Sequence, residues 1–199
     1  PHNRGMNAPF KAPTTDAPLW DLSDLYASRE DAGVASDLEQ ARAVVEELNA
    51  LQGQLVAARG DAALLGERLN QAVILYEQAS EHLGALGAFA FLSASTQRDD
   101  AAAQGFEADL REKITAVATP TVWLTLEINA LEETEIEAAL SAHPAAARWR
   151  PWLRRVRATK PHELSAELET FIAERGPITA QWPRLFDEQM AALRAEAGD

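Results

Sequence analysis

The chain has 199 residues, a net charge of −13 and no cysteine. So acidic a surface argues against nucleic-acid or anionic-membrane binding, because affinity for phosphate rests on Lys and Arg. The missing cysteines exclude disulfides, thiolate nucleophiles and Cys-based zinc sites. Aromatic residues make up only 7%, while Ala, Leu and Glu dominate, a mix that favours helix over sheet.

Residues 1–18 read as a disordered or extended leader. P-H-N-R-G-M has the look of a vector remnant before Met6, and three prolines follow between residues 7 and 18. No signal-peptide core is visible there, and no apolar run approaches the roughly 18–20 residues of a membrane span. A cytoplasmic location is the expectation. Ordered structure is expected from Leu19.

The first predicted helix covers 37–55, where Leu38, Ala41, Val45, Leu48, Leu51 and Leu55 form the i, i+3, i+4, i+7 stripe of an amphipathic helix. R-G-D at 59–61 is a break, with Gly60 suited to a C-cap and Asp61 to an N-cap. A long helix follows over 61–92, with Leu65, Leu69, Val73, Tyr76, Leu83, Gly87 and Ala90 on one stripe. Its second half, L-G-A-L-G-A-F-A-F-L, is apolar nearly all round, which predicts burial between neighbours. Gly84 and Gly87 each cost roughly 1 kcal/mol of helix propensity, which predicts a helix crossing closely over them. The next helix runs over 100–126, with a kink or break near 116–119 because Pro120 removes a backbone hydrogen bond. Shorter helices are predicted over 132–142, 145–158, 165–175 and 182–195, with Ser165 as an N-cap and Gly176-Pro177 as a stop. The fold class is all-α: long antiparallel helices over 19–126, then a cluster of short helices over 127–199.

The sequence offers little catalytic chemistry. K-P-H-E-L-S-A at 160–166 begins like the zinc motif H-E-x-x-H, but Ala166 stands where the second histidine belongs. His162-Glu163 instead reads as the loop before a helix capped by Ser165. The other histidines are His2, in the leader, His82 and His143. His82 has Ala79 three residues before it, so no E-x-x-H pair exists, and His143 precedes Pro144 at a helix end. No nucleophile elbow is present. Asp99-Asp100 and Glu132-Glu133 fall at helix starts, where negative charge is favourable in any case. Catalytic, cofactor-binding and metal residues are therefore expected to be absent.

One charge anomaly stands out: six of the eighteen Lys and Arg lie between Arg148 and Lys160. The stretch reads either as a patch for an acidic partner or a peptide carboxylate, or as cations that pair with acidic helices of the same chain. The second reading is favoured. Trp149 and Trp152 share a face and are expected to anchor this helix in the core.

Four segments, in order, resemble one family. W-D-L-S-D-L-Y at 20–26, Y-E-Q-A-S-E-H-L-G-A-L-G-A-F-A at 76–90, R-P-W-L-R-R-V-R-A-T-K-P-H-E-L-S at 150–165 and W-P-R-L-F-D-E at 182–188 are similar to strings in the N-terminal region of oligoendopeptidase F-type metallopeptidases, relatives of the thimet oligopeptidases. Phe89 stands where the family usually has Tyr, and the T-x-x-D turn at 96–99 is looser than the family pattern. The resemblance implies a zinc-dependent peptidase of short peptides, usually cytoplasmic, whose N-terminal helices form a wall or lid of a deep channel. It also implies that zinc, H-E-x-x-H and the catalytic side chains belong to a C-terminal region beyond this sequence. The chain alone is expected to be inactive, with its own catalytic domain and short peptides as partners. A face left exposed by truncation is expected to drive homodimer formation. The alternative is a stand-alone helical interaction module.

Overall fold

The computed structural model describes residues 21–97, 100–162 and 164–193. The leader over 1–18, His2, Trp20, Asp99, Glu163 and the end of the 182–195 helix lie outside the described residues. All regular structure among those residues is helical, which establishes the all-α class.

Helix α1 spans Ala32–Asn49, begins five residues before the predicted start and is capped by Asp31, whose side chain accepts from the Gly33 N–H at 2.8 Å. It stops short of Leu55 because Gly53 takes a left-handed φ of 84° and turns the chain into the single-turn helix α2, Gln54–Ala57. The predicted stripe is nonetheless intact, since all six of its residues are buried. The R-G-D break is as expected: Gly60 has φ 87° and the Asp61 carboxylate accepts from the Leu64 N–H at 3.0 Å.

Helix α3, Ala62–Thr96, is the axis of the fold, with α1 and α4 (Ala101–Ala118) lying along it. Both neighbours run antiparallel to it. The start of α1 meets the second half of α3, as the Asp37–His82 pair at 3.2 Å shows, while Gln104 on α4 donates to the Ala94 carbonyl at 2.9 Å and Ile114 Cδ1 lies 3.7 Å from where a Cβ on Gly87 would stand. Asp100 caps α4 by accepting from Ala102 and also holds Arg29 at 2.9 Å. These bonds hold the Asp100 carboxyl below the usual range, the Arg29 guanidinium being the largest cause. The break at Pro120 is where the sequence places it: a 3-10 turn over Thr119–Thr121 leads into α5, Val122–Ala130. Helix α6 covers Glu133–Ala142, and the Glu132 N–H donates to Glu135 Oε2 at 2.7 Å at its start.

Two hydrophobic clusters line α3. Its first half packs Leu65, Leu69 and Val73 with Leu48, Leu55, Leu124, Ile128, Ile136 and Leu153. Its second half packs Leu86, Phe89 and Ala90 with Tyr26, Leu38, Val45 and Leu110. The expectation of all-round burial for this second half is corrected, because Ala88 and Gly84 are exposed and Phe91 is 57% exposed. The expected close crossing at Gly84 and Gly87 is also corrected. A Cβ at Gly84 would meet nothing within 4 Å, whereas one at Gly66 would lie 2.5 Å from the His143 Cβ and 2.6 Å from the Ala139 carbonyl oxygen. The tight crossing is therefore α3 over the end of α6, eighteen and twenty-one residues earlier on the helix than expected.

Tyr26, from the first family-like segment, is buried and pins the entering chain. Its hydroxyl donates to Asp37 Oδ2 at 2.6 Å and its ring meets Phe89 edge-on at 5.1 Å. The Phe89 ring in turn packs against Phe106, so Phe in place of Tyr here is an apolar contact. Burial, with the Asp37 carboxylate second, raises the Tyr26 pKa well above its ordinary 10.0. Tyr26→Phe is expected to cost about 1.5 kcal/mol at neutral pH, as for a hydrogen bond to a charged group. The folded pKa lies above the unfolded one, so the contribution is whole below pH 10 and is lost as pH rises beyond it. Thermal melts at pH 7 and above pH 10 check this: the gap between the two proteins should narrow at the higher pH.

Candidate docking surface on the C-terminal helices

The R-W-R-P-W-L stretch begins as a 3-10 turn over Pro144–Trp149 and becomes α7, Arg150–Arg157. The predicted single helix over 145–158 is thus half 3-10, with Pro151 in the first turn of α7, where a missing N–H costs nothing. The tryptophans anchor it as expected: Trp149 Nε1 donates to Asn70 Oδ1 at 3.0 Å, and the Trp152 ring lies 5.6 Å from Tyr76. Both partners belong to α3.

The cations of this stretch divide. Arg150 pairs with Glu137, and Arg157 pairs with Glu133 at 2.9 Å while donating to the Ile128 and Leu131 carbonyls at the end of α5. Arg148 lies 4.0 Å above the Trp149 ring. The internal-pairing reading holds for Arg150 and Arg157, while Arg148 covers apolar surface. Arg154, Arg155 and Lys160 are exposed.

Ser165 caps α8, Ala166–Thr179, with its hydroxyl accepting from the Leu168 N–H at 3.4 Å. Gly176-Pro177 does not stop this helix, contrary to expectation. Pro177 forgoes one backbone bond, and α8 continues past it while lying against α4 and α5; at its end the Gly176 carbonyl accepts from Thr179 Oγ1 at 2.9 Å and the Ala180 N–H at 3.0 Å. An open groove of about 960 Å³ runs between α4 and α8, with Thr115, Thr119 and Pro120 on one side and Pro177 and Ile178 on the other. Helix α9, Gln181–Ala192, follows and packs chiefly on α8.

These two helices leave their large apolar residues in water. Leu168, Phe171, Ile172 and Ile178 of α8 are all about half exposed, and on α9 Trp182 is 71% and Phe186 63% exposed, with Leu185 and Met190 close behind. The spacing 182, 185, 186, 190, 193 is a helical stripe of the kind that α1 and α3 bury. Among the described residues nothing covers it, and apolar faces of this extent mark interaction sites. The face includes Trp182, Leu185 and Phe186 of the W-P-R-L-F-D-E segment. The signal was in the sequence as periodicity, but periodicity does not say which stripe goes uncovered.

The histidines do not converge. His82 pairs with Asp37, His143 ends α6 beside Gly66, and His162 is exposed in the 3-10 turn Lys160–His162. Among the described residues no three His, Asp or Glu side chains are placed to hold a metal ion. Zinc therefore does not fit the donor set of the described residues. No single helix among the described residues is long and apolar enough to cross a membrane.

The described residues thus form an all-helical scaffold with an exposed apolar face on α8 and α9. Residues 127–194 match the peptidase M3 N-terminal family model, described as Oligopeptidase F, so this part of the chain is similar to the N-terminal region of that family. The match begins in α5 and takes in α6, α7, α8 and α9. No curated protein and no solved structure matches.

Proposed function

We propose that this chain is the N-terminal helical region of a zinc-dependent oligoendopeptidase, where it forms a wall or lid of the channel that admits short peptides. The observation that carries this reading is the coincidence of two features. The family match spans 127–194, and the uncovered apolar face of α8 and α9 lies inside it. In this reading α3 is a rigid strut, α7 is bolted to it by Trp149 and Trp152, and α8–α9 present the face that a catalytic region covers. The catalytic region supplies zinc and the hydrolytic groups, in the cytoplasm, and the present chain supplies shape and exclusion. A quenched-fluorescent peptide assay on the chain alone, with zinc added, tests the division of labour. No cleavage is expected, and stoichiometric zinc with cleavage would overturn it.

The same exposed face favours a second reading, a helical interaction module whose partner is another copy of itself. Light scattering at high concentration is expected to give the mass of a dimer paired through α8–α9. A monodisperse monomer counts against pairing.

A further inference from the structure

Outside 148–160, every described Lys and Arg lies within 4.0 Å of a carboxylate, except Arg175, which lies 5.2 Å from the Phe171 ring. That is the natural condition of a chain with thirty-one acids and eighteen bases. Inside the stretch, Arg150 and Arg157 conform and Arg148 covers Trp149. Arg154, Arg155 and Lys160 do not: all three are exposed, and among the described residues none has an ion pair. On α7 the buried side is marked by Leu153, so Pro151, Arg154, Arg155 and Ala158 make the outward face. Lys160 follows one short turn later. Cations in the last turn of a helix are favoured by its dipole. The dipole does not explain why, among the described residues, no acid pairs with them.

We infer that Arg154, Arg155 and Lys160 form a recognition patch for the carboxylates of a short peptide: its acidic side chains and the free carboxylate at its C-terminus. The inference rests on the reading of this chain as the wall of a peptide channel. Guanidinium groups suit the task because they bind a carboxylate through two parallel N–H donors. The net charge of the chain does not prevent it, because at physiological ionic strength charges beyond about 8 Å are largely screened and the local patch decides. The rigid mounting of α7 on α3 by two tryptophans fixes the patch in place. Selection would then favour acidic peptides with free ends over neutral, end-blocked ones.

The test uses the 199-residue chain and two fluorescein-labelled peptides of equal length. One carries glutamates and a free C-terminus, the other glutamines and an amide, and binding is read by anisotropy at physiological ionic strength, about 0.15 M. The acidic peptide is expected to bind about tenfold more tightly, with the preference shrinking as salt is raised. Arg154→Gln with Arg155→Gln and Lys160→Gln should erase the preference and leave the circular dichroism melt unchanged. Arg154→Lys with Arg155→Lys should keep most of it, and Lys113→Gln should leave it intact. Equal binding of the two peptides overturns the inference, as does a preference that survives the triple change or falls equally with Lys113→Gln. A chain that joins a catalytic region but shows no preference sinks the patch alone. A chain that fails to join one sinks the wall reading, whatever the peptides do.

Discussion

Replacing Gly66 by alanine is expected to lower the stability of the fold by about 2–3 kcal/mol, the cost of overpacking a close contact. The new Cβ would lie 2.5 Å from the His143 Cβ and 2.6 Å from the Ala139 carbonyl oxygen. One of these is backbone, and the other sits at the junction of α6 with the following 3-10 turn, so neither yields easily. Relief requires α3 and α6 to separate, which opens the cluster of Leu65, Leu69, Ile136 and Leu140 on either side of the crossing. Alanine's better helix propensity, about 1 kcal/mol, offsets only part of this. Gly84→Ala is the matched control. Its Cβ meets nothing within 4 Å, so the propensity gain should appear whole, as about 1 kcal/mol of added stability. Urea melts of the two variants should move in opposite directions. A Gly66→Ala protein as stable as the parent would mean that the α3–α6 crossing is looser than described.

The second large effect concerns association. Trp182→Asp combined with Phe186→Asp is expected to weaken binding to an oligoendopeptidase F-type catalytic region at least about a hundredfold. Buried aromatic anchors commonly cost 2 kcal/mol or more each when removed. Both rings are more than 60% exposed in this chain, so the same change should alter its own stability by no more than about 0.5 kcal/mol. That contrast separates a docking face from a structural one: loss of binding with an unchanged melt supports docking, and a collapsed melt means that the rings hold the helices together.

The sequence and the structure part ways at instructive places. Periodicity located every long helix, because an apolar stripe at helical spacing has one way to be buried; Leu38, Ala41, Val45 and Leu48 lie inside as expected. Local backbone chemistry was legible where one residue controls it, as at Gly60, Asp61, Pro120 and Ser165. It failed where packing overrides a local preference. Gly176-Pro177 reads as a stop, yet α8 passes through it, lying against α4 and α5. The glycines of α3 show the same limit from the other side. Composition says that a glycine in a helix allows close approach, but only the fold shows that Gly66 is used this way and Gly84 is not. The basic stretch was read as internally paired, and the structure divides it residue by residue, since pairing depends on which side of α7 each cation occupies. The exposed apolar face lay in plain view as the W-P-R-L-F-D-E stripe, but nothing in a stripe says whether its cover belongs to the same chain.

The central proposal is that α8 and α9 are the face by which this helical region joins a peptidase catalytic region. Isothermal titration of the chain with such a region, freed of its own N-terminal helices, tests this most directly. The proposal predicts saturable one-to-one binding that the Trp182→Asp, Phe186→Asp protein loses. Absence of binding by the unaltered chain, or binding that survives the double change, would contradict it.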